Sequence, residues 1–244
     1  MNALADNVFT KAWSALGATM ARPKGILCIS AHWYVGGTAL TIATAPRTIH
    51  DFGGFPRELY LVQYPAPGDP ELARRVQQML APLSAALDAS WGLDHGAWSV
   101  LKHMYPRADV PVVQLSIDAT KGPAFHYEVG QRLASLREEG VLIVGSGNVV
   151  HNLNAFIWGR HGGDIGDSAE IFNRRVRELV AAREHGSLIR YQSLGREADF
   201  AVPTPEHYDP LLYILGTSTP ADTIRFPVEG IAGGAISMLG VQIG

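Results

Sequence analysis

Cysteine, basic clusters and long apolar runs are scarce in this 244-residue chain, and each scarcity excludes a class of protein. A single cysteine, Cys28, cannot form a disulfide within the chain or a multi-cysteine zinc site. It lies inside an apolar run, so we expect a buried, unreactive thiol. The net charge is −3 without a basic block, which argues against nucleic acid as a partner. No apolar stretch reaches membrane-spanning length, so we expect no membrane association and a soluble, cytoplasmic protein.

What the sequence does contain is an alternation of apolar runs with amphipathic segments, and 47% of its residues are hydrophobic. Buried strands are predicted over residues 26–31, 38–44, 110–117 and 141–144. Helices are predicted over residues 8–20, 70–80, 97–104, 123–139, 169–184 and 205–215. Two late strands, 223–227 and 235–243, are expected to pair antiparallel and to make the sheet mixed. We therefore predict one α/β domain over residues 1–244, with a central, mostly parallel sheet flanked by helices.

Two segments lack a clear period. Residues 45–69 hold several prolines and glycines, and an irregular stretch of this length inside a compact chain indicates a functional loop or lid. Residues 159–167 are a second, glycine-rich loop.

Three of the nine histidines share a local context. His32 follows one predicted strand, His151 follows another through a Gly-Ser-Gly-Asn turn, and His207 lies at a predicted helix start. In an open α/β sheet, ligands bind beyond the carboxyl ends of strands. Neutral imidazole is the commonest metal ligand, and three such groups with water suit Zn(II) or Fe(II). The alternative is that each histidine is a hydrogen-bonded loop residue, because ligands so far apart have no diagnostic spacing.

Two further histidines admit both a functional and a structural interpretation. His95 lies in Asp94-His95-Gly96, where the aspartate either orients the imidazole or caps the next helix. His50 lies in the long loop near Phe52 and Phe55, which either grip an aromatic substrate or pack the loop. The remaining four are expected to be solvated or structural: His103, His126, His161 and His185.

The turn at Gly145–Asn148 has the strand-loop-helix arrangement of a phosphate loop but not its motif. It lacks the Lys-Ser/Thr of a P-loop and the third glycine of a dinucleotide fingerprint. Its glycines also have the wrong spacing for a nucleophile elbow at Ser146. Small residues that let His151 approach a site explain the turn equally well.

Several motifs along the whole chain together resemble one family. They are Ser30-Ala31-His32-Trp33, TIHDFGGFP (48–56), YPAPG (64–68), Asp94-His95-Gly96, GNVVHNL (147–153), PTPEHYDPLL (203–212) and SMLGVQIG (237–244). On these motifs the chain is similar to the 4,5-DOPA extradiol dioxygenase group of the class III, LigB-like extradiol ring-cleavage dioxygenases. The resemblance implies a central sheet flanked by helices and a single metal held by histidines.

The resemblance also implies roles for particular residues. His32 and His207 match metal ligands, and His151 matches an acid–base catalyst beside the metal that itself contacts the metal. His95 matches a second catalytic histidine of the pocket, and His50 lies in the substrate-binding loop. Fe(II) would support activity, and Zn(II) can occupy the same site. The partners implied are a small aromatic diol of the catechol type and O2.

One departure from the family concerns the beginning of the chain. Members of the family begin with a strand ending in His-Gly-Ser-Pro-Met, and Met1-Asn2 matches the end of that motif. We therefore expect the family's first strand and one metal ligand to be missing, which would leave one edge of the strand before His32 partly uncovered. Either the start has been assigned downstream of the true one, or this is a natural short form with a weakened metal site.

Two other functions remain open on the sequence. The same histidines in a zinc hydrolase would activate water. A non-catalytic metal- or ligand-binding protein on the same fold is the second.

Overall fold

The computed structural model describes residues 2–159 and 167–244, and its core is a five-stranded sheet. The strands are β1 (Gly25–Val35), β2 (Thr38–Thr41), β3 (Ala85–Asp88), β4 (Val112–Asp118), β5 (Val141–Ser146), β6 (Ile224–Val228), β7 (Ile231–Ala232), β8 (Ile236–Ser237) and β9 (Gly240–Ile243). The helices are α1 (Val8–Thr19), α2 (Arg57–Tyr60), α3 (Pro70–Leu80), α4 (His95–Met104), α5 (Pro123–Leu133), α6 (Ser168–Ala181), α7 (His185–Ile189), α8 (Arg196–Ala201) and α9 (Asp209–Gly216).

The central sheet has the strand order β3-β2-β4-β1-β5. Strand β1 runs parallel to both of its neighbours and β2 runs parallel to β3, whereas β2 and β4 are antiparallel. The predicted α/β class with a mostly parallel, mixed sheet is therefore confirmed. The late strands β6 and β9 do pair antiparallel, but they form a separate two-stranded sheet. The prediction that they make the central sheet mixed was wrong, because β2 does so.

Alternation along β1 explains how the sheet is covered on both faces. Ile26 and Cys28 point to one apolar layer that includes α4, and Leu27 and Ile29 point to the opposite layer that includes α3 and α5. All four are fully buried. Burying a Leu or Ile side chain contributes roughly 1.5–3 kcal/mol, so this short run stabilises both layers at once. Cys28 is buried, as predicted, and burial raises the pKa of its thiol.

The starts of α1 and α3 follow from capping residues that the sequence displays. The Asn7 side chain accepts hydrogen bonds from the backbone at the start of α1, and Asp69 does the same for α3, whose first residue is Pro70. Residues 45–69 are irregular apart from the single turn of α2, as predicted. Strand β3 was not predicted. The predicted glycine-rich loop at 159–167 falls largely on residues 160–166, which include His161 and lie outside the described residues.

The open edge of the sheet is not where the sequence led us to expect it. Strand β1 has a hydrogen-bonded neighbour on each side, so the prediction of an uncovered β1 edge was wrong. Among the described residues, β5 pairs with β1 alone and forms one edge of the sheet, and β3 forms the other. A groove of about 710 Å³ runs along β5, between α1 on one side and α9 on the other. The apolar run 141–144 is consequently only half-buried.

Within residues 2–159 and 167–244, every helix is too short or too polar to cross a bilayer.

Candidate active site

Four of the predicted histidines converge at the carboxyl ends of β1 and β5. The ring centroids of His32 and His95 are 3.8 Å apart, and those of His32 and His207 are 5.3 Å apart. His151 stacks on His207 with 3.5 Å between the ring centroids and an interplanar angle of 7°. Residues separated by 175 positions in the sequence therefore form one cluster of imidazoles, as expected for side chains at one edge of a sheet.

His32 lies within a strand rather than after one. The prediction ended the strand at Ala31, but β1 continues to Val35. Its register against β4 shifts between Ile29 and Tyr34, so His32 lies in a bulged stretch. Bulges bend a strand and re-aim its side chains, and they are common beside active sites. This irregularity explains why the apolar run ends near Ala31 although the backbone stays extended to Val35.

His95 is the first residue of α4, and Asp94 caps this helix. The carboxylate of Asp94 accepts a hydrogen bond from the Ala97 backbone N–H at 3.0 Å. The interpretation of Asp94 as a helix cap is therefore confirmed, and the helix start delivers the His95 imidazole to the cluster, but the carboxylate beside that imidazole is Asp51 and not Asp94. A short cap of this kind fixes the direction of the first helical residue.

His151 and His207 reach the cluster through close backbone contacts. The backbone N–H of Asn148 donates to the His207 carbonyl at 2.8 Å, and the His151 N–H donates to the Ala201 carbonyl at 2.8 Å. A Cβ on Gly147, just after β5, would overlap the His207 carbonyl, so only glycine allows the two backbones to approach this closely. The small residues of the turn at 145–148 thus serve the approach of these two histidines, as the sequence suggested.

Burial keeps both stacked imidazoles neutral. It lowers the pKa of His207 well below its ordinary value, and the neighbouring histidines His151, His32 and His95 lower it further. Burial also lowers the pKa of His151, although Glu206 opposes the shift. Neutral imidazole is the form that binds a metal or accepts a proton. The two rings can stack closely for the same reason, since neither has a charge at neutral pH.

The functional residue that the sequence reasoning missed is Asp51. One carboxylate oxygen lies 3.2 Å from His32 Nδ1, and the other lies 3.0 Å from His95 Nδ1 and accepts the His95 backbone N–H at 2.9 Å. Burial opposes ionisation of Asp51, but these histidine contacts outweigh it and hold the pKa of the carboxyl far below its usual value. The signal was available, since Asp51 follows His50 in the loop that was singled out as functional.

The carboxylate of Asp51 orients two imidazoles for a further partner. A negative charge beside Nδ1 favours a proton on that nitrogen and leaves Nε2 as the nitrogen with a lone pair. Carboxylates commonly orient metal-binding histidines in this way. Ligand atoms of His32, Asp51 and His95 all lie within 4.8 Å of one another, a spacing that suits a metal ion.

An unpartnered atom in the cluster supports the same fit. The Nδ1 of His207 is buried, and no hydrogen bond reaches it from any described residue. An unpaired buried polar atom costs free energy, which a bound cation would offset. Neutral imidazoles with one carboxylate are ligands suited to a divalent transition metal. The residues present therefore fit the metal that the sequence predicted.

The remaining predicted residue, His50, lies beside the cluster and does not join it. Its ring contacts Phe52, Tyr60 and Trp98, and its Nε2 bonds the Val62 carbonyl at 2.9 Å. The ring of Phe52 lies between His50 and the cluster, with its centroid 5.2 Å from that of His95. Both interpretations of this loop stay open, because aromatic side chains that pack the loop also form an apolar wall next to the imidazoles.

Three other histidines have structural surroundings, as expected. The ring of His103 packs near Trp13, and His185 bonds the hydroxyl of Tyr127 at 2.9 Å. His126 is fully buried and bonds the hydroxyl of Tyr213 at 3.0 Å.

We expect Gly96→Ala to weaken metal binding by about tenfold or more, because the site tolerates little displacement of its ligands. A Cβ at this position would overlap Ser30 Oγ and lie 2.8 Å from His32 Cδ2. Metal titration of the purified variant measures the effect. Gly53→Ala is the matched control, since a Cβ there meets no atom within 4 Å. Equal affinities in the two variants would contradict the close packing of His32 on α4.

A sheet that presents four clustered imidazoles and a carboxylate at its strand ends is the framework of a metal-dependent enzyme. The chain belongs to the LigB family: the family described as the catalytic LigB subunit of aromatic ring-opening dioxygenase matches residues 5–227. The family is catalytic, so the protein is an oxidoreductase of the extradiol dioxygenase type, and the prediction of an enzyme of this class is confirmed.

Curated relatives and a solved structure agree with this membership. A protein of Escherichia coli (strain K12) named 4,5-DOPA dioxygenase extradiol is 49% identical over 254 residues, which cover 100% of this chain and 91% of the relative. A protein of the same name from Beta vulgaris is 40% identical, over 81% of this chain and 74% of its own. The crystal structure of an uncharacterized protein from Escherichia coli K12 has a TM-score of 0.86 at 44% identity, covering 99% of this chain and 94% of that one.

Proposed function

We propose that this protein cleaves the ring of a catechol related to DOPA, next to its two hydroxyl groups, and incorporates both atoms of O2. The observation that carries the proposal is the single cluster of four imidazoles and one carboxylate at the end of β1. The substrate class is supported by relatives in a bacterium and in plants that bear the name 4,5-DOPA dioxygenase extradiol.

We assign the metal to His32 and His207, with Asp51 orienting His32 from the opposite side of its ring and His151 stacked on His207 beside the metal position as the acid–base group. Fe(II) is the ion proposed for activity, and Zn(II) can occupy the same ligands. When bound, the ion would bring the diol and O2 together and make the hydroxyl groups of the diol more acidic. The cytoplasm is the proposed location, supported by the single buried cysteine, since Fe(II) and free thiols both persist in a reducing compartment.

The chain's own residues handle protons and the substrate ring. His151, kept neutral by burial, accepts a proton from a hydroxyl group of the diol and returns it to oxygen as the ring opens. His95, whose Nδ1 faces Asp51, presents its other nitrogen to a substrate oxygen. Phe52 and His50 form the apolar side of the site against which the aromatic ring of the substrate packs. The product is a semialdehyde acid that contains both oxygen atoms.

The proposal is tested with metal-depleted protein reloaded with Fe(II) or Zn(II) and mixed with L-DOPA or catechol under air. We expect a yellow ring-opened product and the uptake of one O2 per catechol with Fe(II), and neither with Zn(II). Resorcinol is the matched control, because its two hydroxyl groups are not adjacent. Protein that holds stoichiometric Fe(II) but takes up no O2 with any catechol would overturn the proposal. Turnover without O2 uptake would indicate hydrolysis.

The role of Asp51 predicts a separate result. Asp51→Asn keeps the size of the side chain and removes the charge, so the Nδ1 proton of His32 and His95 loses its partner. We expect metal affinity to fall roughly 10- to 100-fold, the usual cost of altering a group that orients a ligand. Titration with Zn(II) measures it. The exposed Asp199→Asn is the matched control, and an Asp51 variant that binds as tightly as this control would remove Asp51 from the site.

A further inference from the structure

A second polar group lies beneath the imidazoles, and the proposed mechanism does not use it. Ser30, Asp94 and Gln114 are all fully buried, although the sheet around them is apolar. The Asp94 carboxylate accepts hydrogen bonds from Ser30 Oγ at 2.7 Å and from Gln114 Nε2 at 2.7 Å. A buried carboxylate is costly unless donors surround it, so three such residues in one place require an explanation.

The contacts of Gln114 are reciprocal. Its Oε1 accepts the backbone N–H of Asp94 at 2.9 Å, while its Nε2 donates to the Asp94 carboxylate. Ser30 is on β1, Gln114 is on β4 and Asp94 caps the start of α4. This group, which we call the buried tie, therefore joins two neighbouring strands to the helix that packs on them. Fully satisfied polar networks of this kind rigidify and specify one arrangement.

The buried tie is attached directly to two imidazoles of the site. Asp94 immediately precedes His95 in the chain, and Ser30 lies two residues before His32 on β1. Ser30 Oγ also accepts the backbone N–H of His32 at 3.3 Å. The ring centroids of His32 and His95 are 3.8 Å apart, and one carboxylate, Asp51, bridges them. Such a bridge requires the strand and the helix start to be held at one separation.

Resting on the metal site proposed above, we propose that Asp94 and Gln114 are positioning residues that set the separation of His32 and His95 through the buried tie. They touch neither metal nor substrate. Their contribution is geometric: the hydrogen bonds between them decide where β1 and α4 present their imidazoles. Exchanging the two side-chain types should therefore preserve the site, provided that the hydrogen-bond pattern survives.

The chain allows that exchange to be made. In Asp94→Asn, the amide oxygen can still accept from Ser30, but the new NH2 faces the NH2 of Gln114, and two donors oppose each other. Turning the Gln114 amide around only moves the conflict to the Asp94 backbone N–H. In Asp94→Asn with Gln114→Glu, the glutamate oxygens accept from both the new amide and the backbone N–H. Every hydrogen bond returns, and the charge moves to the neighbouring strand.

Co(II) titration of metal-depleted protein, followed by its visible absorption bands, measures the site without turnover. We expect Asp94→Asn to raise the Kd for Co(II) roughly 10- to 100-fold, as altered second-layer contacts usually do. The double variant should bind within about threefold of the wild type. In the Fe(II) assay, Asp94→Asn should raise KM for catechol and lower kcat, and both values should recover in the double variant.

Each result has a distinct meaning. A folded Asp94→Asn variant with wild-type affinity would overturn the proposal, and so would a folded double variant that binds as weakly as the single one. Should Asp94→Asn fail to fold, the double variant and Ser30→Ala decide: the first should recover binding, and the second should lose about tenfold or less because it removes one hydrogen bond. A wild-type protein that binds no Co(II) would refute the metal site itself.

Discussion

Replacing His32 with alanine should abolish stoichiometric metal binding and reduce ring cleavage to background. His32 occupies the centre of the cluster, since its ring lies next to His95, His207 and the carboxylate of Asp51. No other described imidazole lies next to both His207 and the pair formed by Asp51 and His95. We expect metal affinity to fall by roughly 100-fold or more, because even groups that merely orient a ligand are worth about 10- to 100-fold.

The size of this effect follows from what alanine leaves behind. The vacated space would be polar, with the Asp51 carboxylate still half-buried and now lacking one of its two imidazole partners. Asp51 would keep His95 as its partner, but water would enter the polar space and compete for the remaining ligands. His207 and water alone hold a divalent ion more weakly than His32 and His207 do together. The loss therefore exceeds the removal of a single contact.

Elemental analysis after dialysis and Zn(II) titration measure the effect, and O2 uptake measures the activity. His103→Ala is the matched control, because His103 is a half-buried histidine on α4 that packs near Trp13, away from the cluster. The control should keep its metal and its turnover. Unchanged metal content in His32→Ala would show that the assignment of this ligand is wrong.

The sequence contained enough to predict which imidazoles meet, but it contained less about what holds them. His32, His151 and His207 were selected because each follows a strand or opens a helix, and sheet topology brings such positions to one edge. That argument needs only the order of elements. Asp51 was passed over because it lies in an irregular loop, where neither period nor boundary predicts the direction of a side chain.

The same limit applies to the buried tie and to the edge of the sheet. Gln114 interrupts an apolar strand, yet its partner Asp94 was interpreted as a cap, and nothing local links the two. Strand β3 is four residues long, so it has too few residues to display a period. The half-buried state of 141–144 depends on what lies beside β5, which is a property of the tertiary structure.

Replacing His151 with glutamine should have the opposite signature to the loss of His32: metal retained, turnover lost. Positioned general acid–base groups contribute about 10²- to 10⁴-fold to rates, and we expect kcat to fall within that range. Glutamine can hydrogen-bond in the same space but does not exchange protons near neutral pH. His32 and His207 remain to hold the ion, so Zn(II) affinity should change far less than in His32→Ala.

The pH dependence separates a proton-transfer role from a structural one. Burial lowers the pKa of His151 below the ordinary histidine value, so the imidazole of the folded protein is neutral at pH 7 and becomes protonated only at lower pH. A base that must be neutral gives a kcat/KM that falls as pH decreases through that pKa. This acidic limb should lie below about pH 6.5, the unperturbed value, in the wild type. It should disappear in His151→Gln, whose remaining activity should not respond to acid in this range.

His185→Gln is the matched control for this measurement. Burial lowers the pKa of His185 as well, but its partner is the hydroxyl of Tyr127, so substitution there should leave both kcat and the acidic limb unchanged. If His151→Gln kept normal turnover, another group would have to move the proton, and His95 is the remaining imidazole beside His32. If His151→Gln lost its metal together with its activity, His151 would act chiefly as a metal ligand. Both histidines of the stacked pair would then bind the metal, instead of His207 binding it and His151 transferring the proton.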